Sequence, residues 1–223
     1  RISSCITDTR DPRYIDHTLK ELLTQRIFQI AAGYEDCDDC DDLRGDNVFK
    51  MCSDRLPQSG NDLGSQPTMS RLENAATRKD LLEIGKQLVN TFIDSYNTEP
   101  KLIILDCDDT NNNTHGQQQL TLFNNYYHEY CYMPLHIYEG LSGKLITTIL
   151  KPGRRNKQSD VAGILKKLIS HLRRQWPNTL IIVRGDSHFT SRDFMQWSES
   201  QSRVGYITGL AGNKKLHELA DTV

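Results

Sequence analysis

The sequence predicts an α/β fold, with a mixed five-stranded sheet in the order β-β-β-α-β-α-β over residues 100–223 and a small helical region over residues 1–99 before it. Three observations lead there. Apolar residues before Lys101 fall at helical spacing, whereas those after it gather in short runs bounded by turn residues. The first three strand-like runs follow one another with no helical period between them. The later runs alternate with amphipathic stretches, the pattern of parallel crossover units.

Taken in order, apolar residues at 19, 22, 23, 27, 30 and 31 predict a helix from Leu19 to Ala32, with Pro12 upstream and Gly33 as its stop. The acidic stretch 35–46 is read as loop or helix ends. Ser70 with Glu73, or Thr68 just before it, is expected to cap a second helix. Leu81, Leu82, Ile84, Leu88, Val89, Phe92 and Ile93 outline a third, closed near Asn97 and Pro100. Leu102–Leu105 then reads as a buried strand, 109–119 as a polar loop, and Tyr130–Tyr138 and Lys144–Lys151 as two strands joined by the turn 140–143. Gln158–Arg174 is expected to be a helix, apolar at 161, 164, 165, 168, 169 and 172. A strand at Thr179–Arg184, a helix at Ser191–Ser200 and a strand at Val204–Thr208 complete the order. An antiparallel meander followed by right-handed parallel crossovers is the ribonuclease H-like (RNase H-like) architecture. A doubly wound sheet would need helices between the first three strands.

Composition bounds the function. At roughly 150 residues per domain, 223 residues make one or two domains. Hydrophobic residues at 37% suffice for a core and exclude a wholly disordered chain. No run approaches the roughly 18–20 apolar residues of a membrane span, and no leader-like stretch opens the chain, so a cytoplasmic location is expected. Net charge is −2, unevenly spread. Residues 144–223 hold 14 Lys and Arg against 6 Asp and Glu, while Glu35–Asp46 holds seven acids and one Arg. A basic C-terminal half predicts a polyanionic partner, although a pI of 6.4 argues against indiscriminate nucleic-acid binding. Of the six cysteines, Cys37 and Cys40 form the one CxxC. Even with Cys52 as a third ligand, no second CxxC or HxxxH completes a zinc site, so reduced thiols are expected.

Chemistry points to the strand ends. Asp106, Asp108 and Asp109 close the first strand, and Asp186 closes the fourth. Alternation sets Asp106 and Asp108 on one face, and neighbouring strands would bring Asp186 to them. Converging carboxylates repel unless a cation neutralises them. Hard oxygen donors suit Mg²⁺ or Mn²⁺, and two such ions can cleave a phosphodiester. The bland alternative is that strand-end aspartates cap loops. Lys151, Arg154, Arg155 and Lys157 form a basic loop read as a DNA phosphate track, continued by Lys166, Lys167, Arg173 and Arg174; the same charges also suit a solvated face. Tyr126, Tyr127, Tyr130 and Tyr132 are assigned to core and sheet packing ahead of base stacking. His115 and His188 are candidate polar contacts near the acids. Arg184-Gly-Asp186 is not read as an adhesion motif, because its Asp follows a strand.

Five segments carry a resemblance: Gly33–Asp36, Ser65–Asn74, Leu105–Gln119, Phe123–Tyr127 and Arg184–Phe189. Together they resemble the IS1380 family of bacterial insertion-sequence transposases, within the wider DDE group related to IS4, over nearly the whole chain. The resemblance implies an RNase H-like core and Mg²⁺- or Mn²⁺-dependent cleavage and strand transfer at terminal inverted repeats. It also implies assembly as a homo-oligomer on double-stranded DNA, at the bacterial nucleoid. An Asp-x-Thr pattern selects Asp108 with Thr110 as the first acid, with Asp106 as its rival, and Asp186 matches the second. The third acid, a Glu, is expected on a later helix. Glu218 and Asp221 alone follow Thr208 as acids, neither in the expected context, so the chain is read as a fragment without it, inactive as it stands. Residues 1–99 then read as an incomplete DNA-recognition region. Two other readings compete. One is a DNA-binding remnant that does not cut. The other is a haloacid dehalogenase-type phosphatase, suggested by Asp106-Cys-Asp108-Asp-Thr110. Against it stand its doubly wound fold and the spacing from Asp186 to Asp193.

Overall fold

Thr18 opens the first helix, α1 (Leu19–Ala31), with a capping box: its backbone N–H donates to Glu21 Oε2 at 2.7 Å and its Oγ1 accepts from the Glu21 N–H at 3.2 Å. Gly33 ends it with φ +93°, as expected. The computed structural model describes residues 1–116, 118, 119, 121–153, 158–189, 191–209, 212 and 218. The chain divides into two units, Arg1–Gln87 and Leu88–Val223.

The first unit continues with α2 (Asp39–Leu43), α3 (Asn47–Cys52), α4 (Gln66–Ala75) and the start of α5 (Arg78–Asp94). Neither expected cap opens α4. The helix starts at Gln66, with Pro67 pre-setting φ in its first turn. That earlier start buries Met69 and Leu72 against Leu22 and Cys40. Buried Gln25 ties α1 to Gly64 through two hydrogen bonds of 2.8 and 2.9 Å. The CxxC sits here as two thiols that donate hydrogen bonds, Cys37 to Glu73 and Cys40 to Gln29, each at 3.2 Å. Burial and the Glu73 carboxylate push the Cys37 thiol up to about 11. Among the described residues no three His, Cys, Asp or Glu side chains cluster as a metal cage.

The boundary between units falls inside α5 rather than at residue 99, because Val89 and Phe92 join the hydrophobic core of the second unit. There the strands are β1 (Leu102–Asp109), β2 (Asn112–Asn113), β3 (Leu122–Asn124), β4 (Glu129–Tyr132), β5 (Leu135–Glu139) and β6 (Leu145–Ile149). They are followed by α6 (Gln158–Gln175), β7 (Leu180–Gly185), α7 (Arg192–Glu199) and β8 (Val204–Thr208). The main sheet runs β6-β5-β1-β7-β8, with β5 and β6 antiparallel to their neighbours and β7 and β8 parallel. Ile103, Leu105, Cys107, Leu135, Ile137, Ile181 and Val183 are buried together with Leu165, Leu172 and Phe194 from α6 and α7. Among the described residues no helix is long and apolar enough to cross a membrane.

The sheet departs from expectation in one place. Tyr130–Tyr138 is not one strand. Met133 and Pro134 break it, leaving β4 in a separate three-stranded sheet, β2-β4-β3, and β5 in the main one. Pro134 has no N–H for a ladder, and its carbonyl instead accepts from the Thr110 N–H at 3.0 Å. The expected polar loop 109–119 contributes the short strand β2 to that second sheet. The antiparallel β5 beside β1 is incompatible with the doubly wound phosphatase reading.

Candidate active site

The central parallel pair β1–β7 positions the acids. Its register runs from Leu102↔Leu180 to Asp106↔Arg184 and Cys107↔Gly185. The next residue on each chain is Asp108 and Asp186. The two aspartates therefore stand at neighbouring positions where adjacent strands, about 4.8 Å apart, reach their C-terminal ends. Both are exposed. Gly185 makes the turn after β7 feasible. A Cβ there would lie 2.7 Å from Phe189 Cδ2, so only glycine lets the buried Phe189 fold back over the strand end.

Asp106 is held differently. Its two carboxylate oxygens accept from Arg184 Nε and Nη2, each at 2.5 Å, across the β1–β7 ladder. The Asp106 carboxylate in turn raises the Arg184 guanidinium. Gly140 closes over this pair, because a Cβ at that position would lie 2.7 Å from Asp106 Oδ2. Beside it, the buried Glu139 accepts backbone N–H bonds from Ile104, Leu141 and Ser142 at 3.1, 3.2 and 2.7 Å. Burial alone would raise the Glu139 carboxyl, but the bonds from Ser142, Ile104 and Leu141 outweigh it and hold it below its ordinary value. Cys107, between the acids, faces the core; burial, with Asp106 and Asp109 nearby, pushes its thiol up to about 12.

Asp109 points the other way, to Lys151, whose Nζ donates to Oδ1 at 2.6 Å. Both side chains are largely buried, 5% and 12% exposed for Lys151 and Asp109. Lys151 is thus an internal partner of Asp109 rather than a solvent-facing cation. Arg154, Arg155 and Lys157 lie outside the described residues. Lys166 pairs with Asp193 at 2.8 Å, and Arg173 donates to the carbonyls of Trp176, Thr179 and Arg203. His115 is exposed in the segment between β2 and β3, and His188 falls in the short turn Ser187–Phe189.

Sequence reasoning missed three residues here. His136 is the cross-strand partner of Asp108, which sets their Cβ atoms about 5 Å apart, and its Nδ1 meets Thr148 Oγ1 at 2.9 Å. Arg184 and Glu139 were passed over because their roles depend on strand register. The signal for Glu139 was a buried-strand pattern ending in Glu-Gly before a turn.

The family model for "Transposase DDE domain group 1" matches residues 1–223. No curated protein matches the chain. Among solved structures, the piggyBac transposase synaptic complex with hairpin DNA aligns with TM-score 0.51 and 15% identity, covering 96% of this chain and 49% of that one. The chain therefore spans about half the length of that relative. The Drosophila P element transposase strand transfer complex aligns at TM-score 0.36 and 14% identity, over 82% of this chain and 44% of that one. The Mos1 strand transfer complex gives 0.33 and 14%, over 97% and 66%. The shared fold is the RNase H-like one.

Proposed function

Because the chain belongs to the transposase DDE domain group 1 family, we propose that it supplies the catalytic core of an IS1380-type DNA transposase. That enzyme cuts DNA at the terminal inverted repeats of an insertion sequence and joins it to a target. One observation supports the site above all: the register that makes Asp108 and Asp186 neighbours at the ends of β1 and β7. Asp108 and Asp186 would hold Mg²⁺ or Mn²⁺. Such ions are commonly bound by one or two carboxylates, with water and substrate phosphates completing the shell, so two exposed carboxylates fit them. Bound there, the ion lowers the pKa of an attacking water or 3′-hydroxyl and stabilises the leaving oxygen. Asp106, engaged on both oxygens by Arg184, is the weaker candidate for a ligand. It serves as a brace that locks β1 to β7 and so holds the two strand ends in register. A Glu on a helix following β8 would be the third acid.

The partner in this reading is double-stranded DNA, bound by a homo-oligomer. Arg154, Arg155 and Lys157 would contact phosphates, and the first unit would recognise the repeat. Mn²⁺ binding measured by electron paramagnetic resonance tests the site without requiring turnover. Asp108→Asn with Asp186→Asn should abolish binding, and in a longer protein that carries the third acid each alone should abolish Mn²⁺-dependent nicking of a terminal-repeat duplex, while Asp106→Asn retains most of both. Unchanged Mn²⁺ affinity in the double variant would overturn the assignment. Duplex binding with no nicking even by a protein that carries the third acid would instead favour a DNA-binding module that does not cut.

A further inference from the structure

We propose that the β3–β4 hairpin, residues 122–132, is a stacking surface for unpaired bases of single-stranded DNA. This rests on the reading of the chain as a DNA-cutting enzyme and adds a second contact on that substrate. Four aromatic rings in this hairpin face solvent: Tyr126 is 83% exposed, Tyr130 58%, Phe123 45% and Tyr127 40%. The expectation of core and sheet packing holds only in part: Tyr126, Tyr127 and Tyr130 join no core, while Tyr130 pairs with Phe123 across the sheet and Tyr132 is half-buried. Leaving several rings of one hairpin in water forgoes the burial that ordinarily stabilises them, and clustered apolar surface of this kind marks a binding site.

The rings are held for planar partners. Phe123 and Tyr130 are direct cross-strand neighbours, edge to face at 5.4 Å between centroids, and Tyr126 and Tyr127 meet edge to face at 4.9 Å. In an edge-to-face pair one ring covers a single face of the other and leaves its own faces free. The turn between the strands is fixed by Asn124, whose Oδ1 accepts from the N–H groups of Tyr126 and Tyr127 at 2.9 and 3.3 Å. The buried Asn124 Nδ2 donates to Gly153 O at 2.8 Å, and Gly153 packs so closely on the carbonyls of Cys131 and Leu122 that no Cβ would fit. The hairpin is therefore preorganised, which lowers the entropy lost on binding.

Charge and position select nucleic acid over a protein partner. Glu129 is the one acidic residue in 122–132, and it already accepts a hydrogen bond from Asn111. Gly153, which the hairpin holds, is followed directly in sequence by Arg154-Arg155-Asn156-Lys157. Exposed aromatic faces on which bases stack, combined with positive charge, are the pattern of single-strand recognition. The hairpin also belongs to the excursion between Asp109 and Leu135, themselves cross-strand partners, so it leaves the main sheet at the end that carries Asp108.

The test uses the full chain with a dT20 oligonucleotide and its 2-aminopurine-substituted form. Tyr126→Ala and Tyr130→Ala should each weaken dT20 binding roughly 5- to 150-fold, equivalent to about 1–3 kcal/mol per stacked base. Each should also relieve quenching of 2-aminopurine. Tyr126→Phe and Tyr130→Phe should restore both readouts, and duplex affinity should stay within about twofold. The exposed rings make misfolding a poor explanation, and unchanged thermal melting checks that. Unaltered dT20 affinity and quenching in the alanine variants, or no dT20 binding by the wild type, overturns the proposal. If the wild type still binds Mn²⁺ through Asp108 and Asp186 in those cases, the transposase reading stands and this inference alone falls; stacking intact in a wild type that binds no Mn²⁺ is the reverse outcome.

Discussion

Replacing Lys151 with methionine distinguishes an internal ion pair from a DNA contact. Methionine keeps much of the stem but removes the ammonium that lies 2.6 Å from Asp109 Oδ1. Asp109 is 12% exposed, so its carboxylate would lose its buried cation. Breaking one partner of a buried pair costs about 3–5 kcal/mol. At about 2–4 °C per kcal/mol for a domain of this size, the melting temperature should fall by roughly 6–20 °C. Both tryptophans, Trp176 and Trp197, belong to the second unit's core or pack against it, so their fluorescence in urea or on heating reads the right transition. Adding Asp109→Leu removes the carboxylate that Lys151 neutralised, and the double variant should recover most of the loss. The reasoning is refuted if Lys151→Met melts like the wild type while duplex binding weakens and its salt slope falls by about one. Lys151 would then face phosphate.

Other consequences follow from close contacts around the acids. Gly140→Ala should push the Asp106–Arg184 pair aside, since its Cβ would meet Asp106 Oδ2 at 2.7 Å; the unfolding free energy from urea titration should fall by about 1–3 kcal/mol, and normal stability would argue that the pair gives way freely. Gly185→Ala should cost a similar amount through Phe189 and also disturb Asp186, so Mn²⁺ affinity should drop with it. For Glu139, the folded carboxyl titrates below its ordinary 4.5. Its contribution is therefore complete above that value and lost as pH falls through the folded value. Urea titrations should show Glu139→Gln less stable than wild type near pH 7, with the gap closing in acid; a gap independent of pH would contradict this. Thr18→Ala should cost about 1 kcal/mol by removing the capping box of α1, measurable as reduced protection of the first-turn amides.

The positions of most elements were readable because their signals are local. The 3.6-residue period of α6, the apolar run opening β1 and the Thr179–Arg184 strand each depend on near neighbours in the chain. The failures share another origin. The start of α4 was misplaced because Pro67 outweighed two plausible side-chain caps. The strand at 130–138 was drawn through Pro134 because apolar residues on both sides looked continuous, although the two halves belong to different sheets. Tyr126 and Tyr130 were assigned to packing because aromatic character alone does not reveal which side of a hairpin meets water.

What the sequence determined by itself was the inventory: an Asp-rich end to one hydrophobic strand, a Gly-Asp after another, and αβαβ spacing that makes those strands parallel neighbours. Tertiary structure alone decided how the charges divide. Asp106, Asp108 and Asp109 lie within four residues, yet one faces Arg184, one is exposed beside the end of β7, and one is buried on Lys151. The physical reason is that the pleat turns successive side chains to opposite faces, while register with distant strands fixes what each face meets. A carboxylate's electrostatic partner is thus set by residues some forty to eighty positions away, which no local pattern encodes.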